Sequence, residues 1–207
     1  VSLDGYISDN KGDTNWFMNN DAINAYSMNI LNATDTMLLG RKTYELFRGY
    51  WPSANEPGSK ELNAMEKVVF SRTLDAVDWG DWGNARLVKD NVADEVNRLK
   101  ALPGKDMVIF AGAGIISTFR TLNLIDEYRL LLHPVVLGGG LPLFERSDER
   151  MNLTLLRAAP LADGVVLLTY QPENQPLTCC CIIQLTSKQA GAELQNRLLR
   201  QTHVLCL

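Results

Sequence analysis

The sequence is poor in the residues that build metal centres and disulfide frameworks. It has two histidines, His133 and His203, and four cysteines, Cys179, Cys180, Cys181 and Cys206. The first 178 residues hold no cysteine, which argues against a disulfide framework and for a reducing, cytoplasmic setting. Three adjacent cysteines need distant donors to ligate a metal, so no metal is expected. Basic charge is not in excess either. Lys and Arg number 20 against 24 Asp and Glu, a net charge of −4, so neither nucleic acid nor an anionic membrane is favoured as a partner. No apolar run has the length of a membrane span, and no basic-then-apolar signal peptide is present. Val1 falls directly on an apparent strand, so a short upstream segment is expected. No acid, histidine and nucleophile set stands out, and the lone His133 before Pro134 reads as structural.

What is present is an ordinary globular composition. Hydrophobic residues make up 46% and charged residues 21% of the 207 positions, enough for one domain with a proper core. The stretch from Asp106 to Phe119 organises the reading. Met107–Phe110 is short, apolar and β-branched, as a buried strand is. Ala111-Gly112-Ala113-Gly114 follows as a small-residue turn, and Ile115, Ile116 and Phe119 then recur at helical spacing. A strand that turns through glycine into a helix leaves free N–H groups at the helix start, where the dipole is positive, and both suit a phosphate. The same residues also serve as a tight turn without a ligand.

A second strand–glycine–helix unit lies upstream. Thr36–Leu39 is an apolar strand, Gly40-Arg41-Lys42-Thr43 a turn, and Tyr44–Phe47 the start of a helix. Arg41 carries a planar fork suited to phosphate and Thr43 a hydroxyl. A phosphomonoester such as the 2′-phosphate of NADP needs this kind of charge, although Arg41 and Lys42 also read as solvated surface charges. Lys67–Phe70 is a third strand, and Ser71-Arg72-Thr73 sits just past its carboxyl end, where open α/β sheets bind ligands.

The remaining elements complete an α/β pattern. Val1–Ser8 reads as a strand broken at Asp4-Gly5. Asp4 either serves that turn or faces a substrate from the sheet edge. Trp16 and Phe17 offer an aromatic wall or core packing. A helix runs from Asn20 or Asp21 to about Ala33, and another from Asn91 to Leu102. Tyr128–His133 is a strand, and Gly138-Gly139-Gly140 permits close approach either to a cofactor or to another strand. Leu153–Leu156 and Gly164–Tyr170 read as an antiparallel pair at one edge of a mostly parallel sheet. Residues 1–172 form this domain, and residues 173–207 form a tail. The tail contains a linker, the cysteine run and a helix expected over Ser187–Gln201. It carries no visible chemistry, and it reads as an appendage that packs on the domain or a partner, or as the product of a shifted reading frame.

Six stretches carry a family resemblance: Ser2–Ile7, Met37–Tyr44, Phe70–Leu74, Ile109–Gly114, Leu124–Tyr128 and Pro134–Phe144. In this order they resemble the dihydrofolate reductase superfamily. The branch most similar contains the reductase domain of the riboflavin-pathway deaminase/reductase and its stand-alone relatives. The resemblance implies a three-layer dihydrofolate-reductase-like fold, a homodimer, and NADPH-dependent reduction of a pteridine-like or ribosylamino-pyrimidine substrate. An activity like that of 5-amino-6-(5-phosphoribosylamino)uracil reductase is expected. Gly40, Arg41, Lys42 and Thr43 are then expected at the 2′-phosphate, Ser71 and Arg72 beside the adenosine, and Gly112, Ala113, Gly114 and Ile115 at the pyrophosphate. Asp4 is expected near the substrate, with Trp16 and Tyr44 completing its wall. The region Ile23–Ser27 offers Asn24 and no carboxylate, so folate reduction is not implied. A catalytically silent NADP-binding dimer is the alternative.

Overall fold

The computed structural model describes residues 1–110, 112–173 and 204–206. Its centre is an eight-stranded sheet. Three parallel strands, β2 (Thr34–Gly40), β3 (Glu66–Phe70) and β4 (Ala85–Val88), pair side by side, and β5 (Asp106–Ile109) pairs with the free side of β2. Beyond β5 lie β6 (Glu127–Leu132) and then an antiparallel pair, β9 (Val166–Pro172) and β8 (Leu153–Pro160), at the far edge. A three-residue strand, β10 (Val204–Cys206), is inserted between β5 and β6 and runs parallel to both. The sheet thus draws one strand from beyond residue 172. The linker after Glu173, the cysteine run and the helix expected over Ser187–Gln201 lie outside the described residues.

Alternation along the strands explains the layers. On β2, Leu38 points to one face while Met37 and Leu39 point to the other. On β5, Met107 and Ile109 share the Leu38 face, and Val108 takes the opposite one. All six are essentially inaccessible, as expected of a parallel sheet covered on both sides. Helices α4 (Val92–Lys100) and α5 (Ala113–Thr121) cover the Leu38 face through Val96, Leu99, Ile116 and Phe119. Helices α1 (Asp21–Ala33), α2 (Arg41–Arg48) and α3 (Ser59–Ala64) cover the other through Ile30, Tyr44 and Leu62. The result is the expected α/β architecture of three layers, mostly parallel with an antiparallel edge.

The first strand departs from expectation. Only Tyr6–Ser8 forms β1, and it pairs antiparallel with β7 (Leu141–Pro142) in a separate two-stranded sheet. The turn at Asp4-Gly5 explains this, since Gly5 has φ +88° and turns the chain away from β6. The triple glycine serves this ribbon. A Cβ on Gly140 would sit 2.0 Å from the Ser8 carbonyl oxygen, so this glycine admits the neighbouring strand. Among the described residues, no helix is long and apolar enough to cross a membrane.

Candidate active site

The carboxyl ends of the parallel strands share one edge of the sheet, and the two glycine corners meet there. Gly40 closes β2 and precedes α2, while Gly112 precedes α5. A Cβ on Gly112 would lie 2.9 Å from Thr43 Oγ1 and 3.2 Å from Ile115 Cγ2, and one on Gly40 would lie 3.4 Å from Ile115 Cβ. The first turns of the two helices are therefore in contact. Gly112 is required twice over, by this closeness and by φ +95°.

Electrostatically, these two helix starts differ from the others. The first turns of α1, α3 and α4 contain Asp21, Glu61, and Asp94 with Glu95. Asn20 also caps α1, accepting from the Ile23 N–H at 3.0 Å. Neither α2 nor α5 has an acid in its first turn or a side-chain cap. Two positive dipole ends thus lie side by side, an arrangement that attracts an anion. Ala113 and Ile115 are buried, whereas nothing lies within 4 Å of a Cβ added to Gly114. Gly114 is the open approach to the α5 start. Residue 111, just before this corner, lies outside the described residues.

Arg41 spans two corners. Its Nε donates to Glu45 Oε1 at 2.8 Å, and one terminal nitrogen donates to Thr73 Oγ1 at 2.9 Å. Half of the side chain remains exposed, so the fork is not locked in an internal ion pair. Lys42 and Arg72 are exposed beside it. Ser71 organises its own turn, its Oγ accepting from the Thr73 and Leu74 N–H groups, each at 3.2 Å. Thr73 joins the site as the partner of Arg41. Its position in the Ser71-Arg72-Thr73 turn was visible, but its reach to Arg41 depends on β2 and β3 being neighbours.

Asp4, Trp16 and Tyr44, expected to form a substrate wall, sit in three separate contact networks. Asp4 is exposed, and its carboxylate accepts from Ser2 Oγ at 2.7 Å, Leu137 N–H at 3.1 Å and Gly138 N–H at 2.8 Å. The Ser2 hydroxyl and these backbone donors hold its pKa below the ordinary aspartate value. Asp4 is therefore an ionised acceptor that ties the N-terminal turn to the loop after β6. Tyr44 does not line the site. It is buried, and its hydroxyl donates to the Asp78 carbonyl at 3.1 Å and accepts from the Asp78 N–H at 3.0 Å. Helical periodicity, with Thr43 facing the corner, turns the next residue into the core beside Trp79.

Trp16 lies partly exposed against His133 at the end of β6, their rings 5.7 Å apart and nearly perpendicular. Phe17 stacks on the same imidazole at 5.2 Å. The Met18 N–H donates to His133 Nδ1 at 3.2 Å, which leaves Nε2 to carry the proton. Burial pushes the His133 pKa down to about 4, so the ring is neutral at physiological pH. His133 thus anchors the loop that carries Trp16, a role that sequence alone did not reveal. A cavity of about 360 Å³ lined by Arg120, Asn123, Arg150 and Pro172 lies at the opposite end of α5 and holds none of these groups.

The chain is 39% identical over 175 residues to the uncharacterised protein YyaP of Bacillus subtilis, covering 82% of this chain and 90% of that one. It is 30% identical over 169 residues to YwjB of the same organism, also uncharacterised, covering 81% and 91%. A provisionally named riboflavin biosynthesis protein from Shewanella sp. PV-4 superposes with a TM-score of 0.71 at 26% identity, over 84% of this chain and 95% of that structure. The bifunctional diaminohydroxyphosphoribosylaminopyrimidine deaminase/5-amino-6-(5-phosphoribosylamino)uracil reductase of Thermotoga maritima shares the fold at 16% identity, with a TM-score of 0.59. It matches 83% of this chain and 54% of its own length. The sequence model of the RibD C-terminal domain matches residues 1–167, and the chain belongs to that family.

Proposed function

We propose that the chain is an NADPH-dependent reductase acting by hydride transfer on a pteridine-like or ribosylamino-pyrimidine substrate, in the manner of 5-amino-6-(5-phosphoribosylamino)uracil reductases. The fold is that of riboflavin-pathway reductases. The observation that carries the reading is the meeting of two uncapped, acid-free helix starts at Gly40 and Gly112. The residues present fit the cofactor. Gly112, Ala113 and Gly114 would hold its pyrophosphate on backbone N–H groups, beside Ile115, whose own N–H donates to the Gly112 carbonyl at 3.1 Å. Arg41, with Lys42 and Thr43, would take the 2′-phosphate, and Ser71 and Arg72 would flank the adenosine. When bound, NADPH supplies the hydride.

Arg41 is available for this role. An exposed i,i+4 pair such as Arg41–Glu45 contributes about 0.3–0.5 kcal/mol, against roughly 1.5–3 kcal/mol for a charge-assisted hydrogen bond. A phosphate therefore displaces Glu45. Asp4 orients and does not donate a proton at neutral pH. Trp16 offers a ring face to a planar substrate. The setting proposed is the cytoplasm, with a second copy of the chain as partner.

Titration with NADPH and NADH is the test. NADPH binding much tighter than NADH binding, with the preference lost in Arg41→Ala, is the expected result. Equal affinity for the two cofactors in the wild type refutes the 2′-phosphate assignment. Turnover against a panel of pterins and ribosylamino-pyrimidines then tests hydride transfer. The second reading, a catalytically silent NADP-binding dimer, is favoured by the Asp4 carboxylate's engagement with Ser2, Leu137 and Gly138 and by the Tyr44 hydroxyl's with Asp78. It predicts cofactor binding without turnover on that panel.

A further inference from the structure

The loop between β3 and β4 begins with Ser71-Arg72-Thr73 and is tied to α2 at two places. Arg41, Tyr44 and Arg48 follow one another at helical spacing and form one stripe along α2. The stripe meets the loop first at Thr73, which accepts from Arg41 at 2.9 Å. It meets the loop again at Asp78. The Tyr44 hydroxyl donates to the Asp78 carbonyl at 3.1 Å and accepts from the Asp78 N–H at 3.0 Å. Arg48 Nε donates to Asp78 Oδ1 at 2.7 Å, and the same oxygen accepts from the Gly80 N–H at 3.0 Å. Two side chains of α2 thus hold the N–H, the carbonyl and the carboxylate of a single loop residue.

The two ties differ in kind. The one at Thr73 is exposed, and a bound phosphate rearranges it. The one at Asp78 stands on the core. Tyr44 is buried, and Trp79, next to Asp78 in the chain, is inaccessible and donates from Nε1 to Asn63 Oδ1 at 2.7 Å. Leu74 and Val77 pack on the same cluster. A buried hydroxyl with two backbone partners fixes where the loop lies against the helix.

The cofactor groups assigned above come from both of these elements. Arg41 stands on α2, and Ser71 and Arg72 stand on the loop, so the distance between them is set where helix and loop are joined. A 2′-phosphate needs both elements in register, because hydrogen bonds weaken steeply with poor geometry. A cofactor without that phosphate makes no such demand. We propose that Tyr44 and Arg48 are positioning residues for cofactor selection, which fix Asp78 and so hold the Ser71–Thr73 turn at the distance from Arg41 that a 2′-phosphate requires. The proposal rests on the assignment of that phosphate to Arg41, and it holds with or without turnover.

The test titrates the full chain and two variants with NADPH and with NADH. Tyr44→Phe keeps the buried ring and every charge, and it removes both bonds to the Asp78 backbone. The Kd for NADPH is expected to rise about tenfold and that for NADH by less than about twofold. Faster hydrogen exchange accompanies the loss at the Thr73 and Leu74 amides, which donate to Ser71 Oγ. Asp78→Ala removes the anchor of Arg48 together with a negative charge. Charge alone then predicts tighter NADPH binding, and positioning predicts weaker binding, so the sign decides. Asp78 is exposed, and its variant carries the test if Tyr44→Phe does not fold. Equal losses for the two cofactors mean that these residues only maintain the fold, which overturns the proposal. Unchanged NADPH binding in Tyr44→Phe, or tighter binding in Asp78→Ala, also overturns it. A wild type with equal affinity for the two cofactors refutes the 2′-phosphate assignment itself, whereas a discriminating wild type with discriminating variants refutes the positioning alone.

Discussion

Gly112 shows how much a single position can carry. Its φ of +95° lies where side-chain-bearing residues are strained, and a Cβ there meets Thr43 Oγ1 at 2.9 Å. Gly112→Ala is expected to lower stability by about 1–3 kcal/mol and to weaken NADPH binding. Adding Thr43→Ala removes the collision but not the backbone strain, so only part of the stability returns in urea melts. A full return means that the collision alone was the cause. His133 yields a pH prediction. Its pKa is about 4 in the fold against an ordinary value near 6.5, so the unfolded chain binds the proton more readily between these values. Stability therefore falls as pH drops from 6.5 to 4. His133→Asn, which keeps an acceptor for the Met18 N–H, is expected to flatten this limb of the stability profile. An unchanged limb assigns it to other groups.

At the scale of the element, β3 contains a charge where a hydrophobic residue is the norm. Lys67 is fully buried, and its Nζ donates to the Asn63 carbonyl at 2.5 Å and the Met65 carbonyl at 2.7 Å. It also lies 4.7 Å from the centre of the Trp79 ring. Asn84 Nδ2 donates to the same two carbonyls, each at 2.8 Å, so neither loses its last partner without the lysine. Desolvation pulls the Lys67 pKa down to about 7. Between pH 7 and the unfolded value near 10.4, the unfolded chain holds more protons, and stability rises with pH by up to about 1.4 kcal/mol per unit. Lys67→Met is expected to abolish that rise in urea melts at pH 7, 8 and 9. Persistence of the rise in the variant locates the titrating group elsewhere. The long apolar elements β2, β3 and β5 were legible from composition alone, because strands buried on both faces need unbroken hydrophobic runs. The three-residue β10 was not, since its length is below any useful period.

At the scale of the whole molecule, the sheet ends among the described residues on an unpaired edge. β8 carries Leu155 and Leu156, 51% and 48% exposed, on a strand whose outer side is unpaired among the described residues. Exposed hydrophobic edges invite pairing, and the proposed homodimer would use this one. The wild type is expected to sediment as a dimer, and a Leu155→Lys/Leu156→Lys double variant as a monomer. A dimer that survives both charges lies on another surface.

Most of the strands and helices along the chain, the two glycine turns and the six family stretches were readable from local pattern, because strand periodicity and turn chemistry are short-range properties. Arg41 and Gly112 could be singled out for the same reason. Only the tertiary structure brought the two corners into contact, carried Thr73 to Arg41 and turned Tyr44 inward. Only it gave the Asp4 carboxylate to the loop at Leu137–Gly138 and seated residues 204–206 between β5 and β6. Each of these depends on which strands become neighbours and which helix face meets the core, and such long-range pairings leave no mark in any short window of sequence.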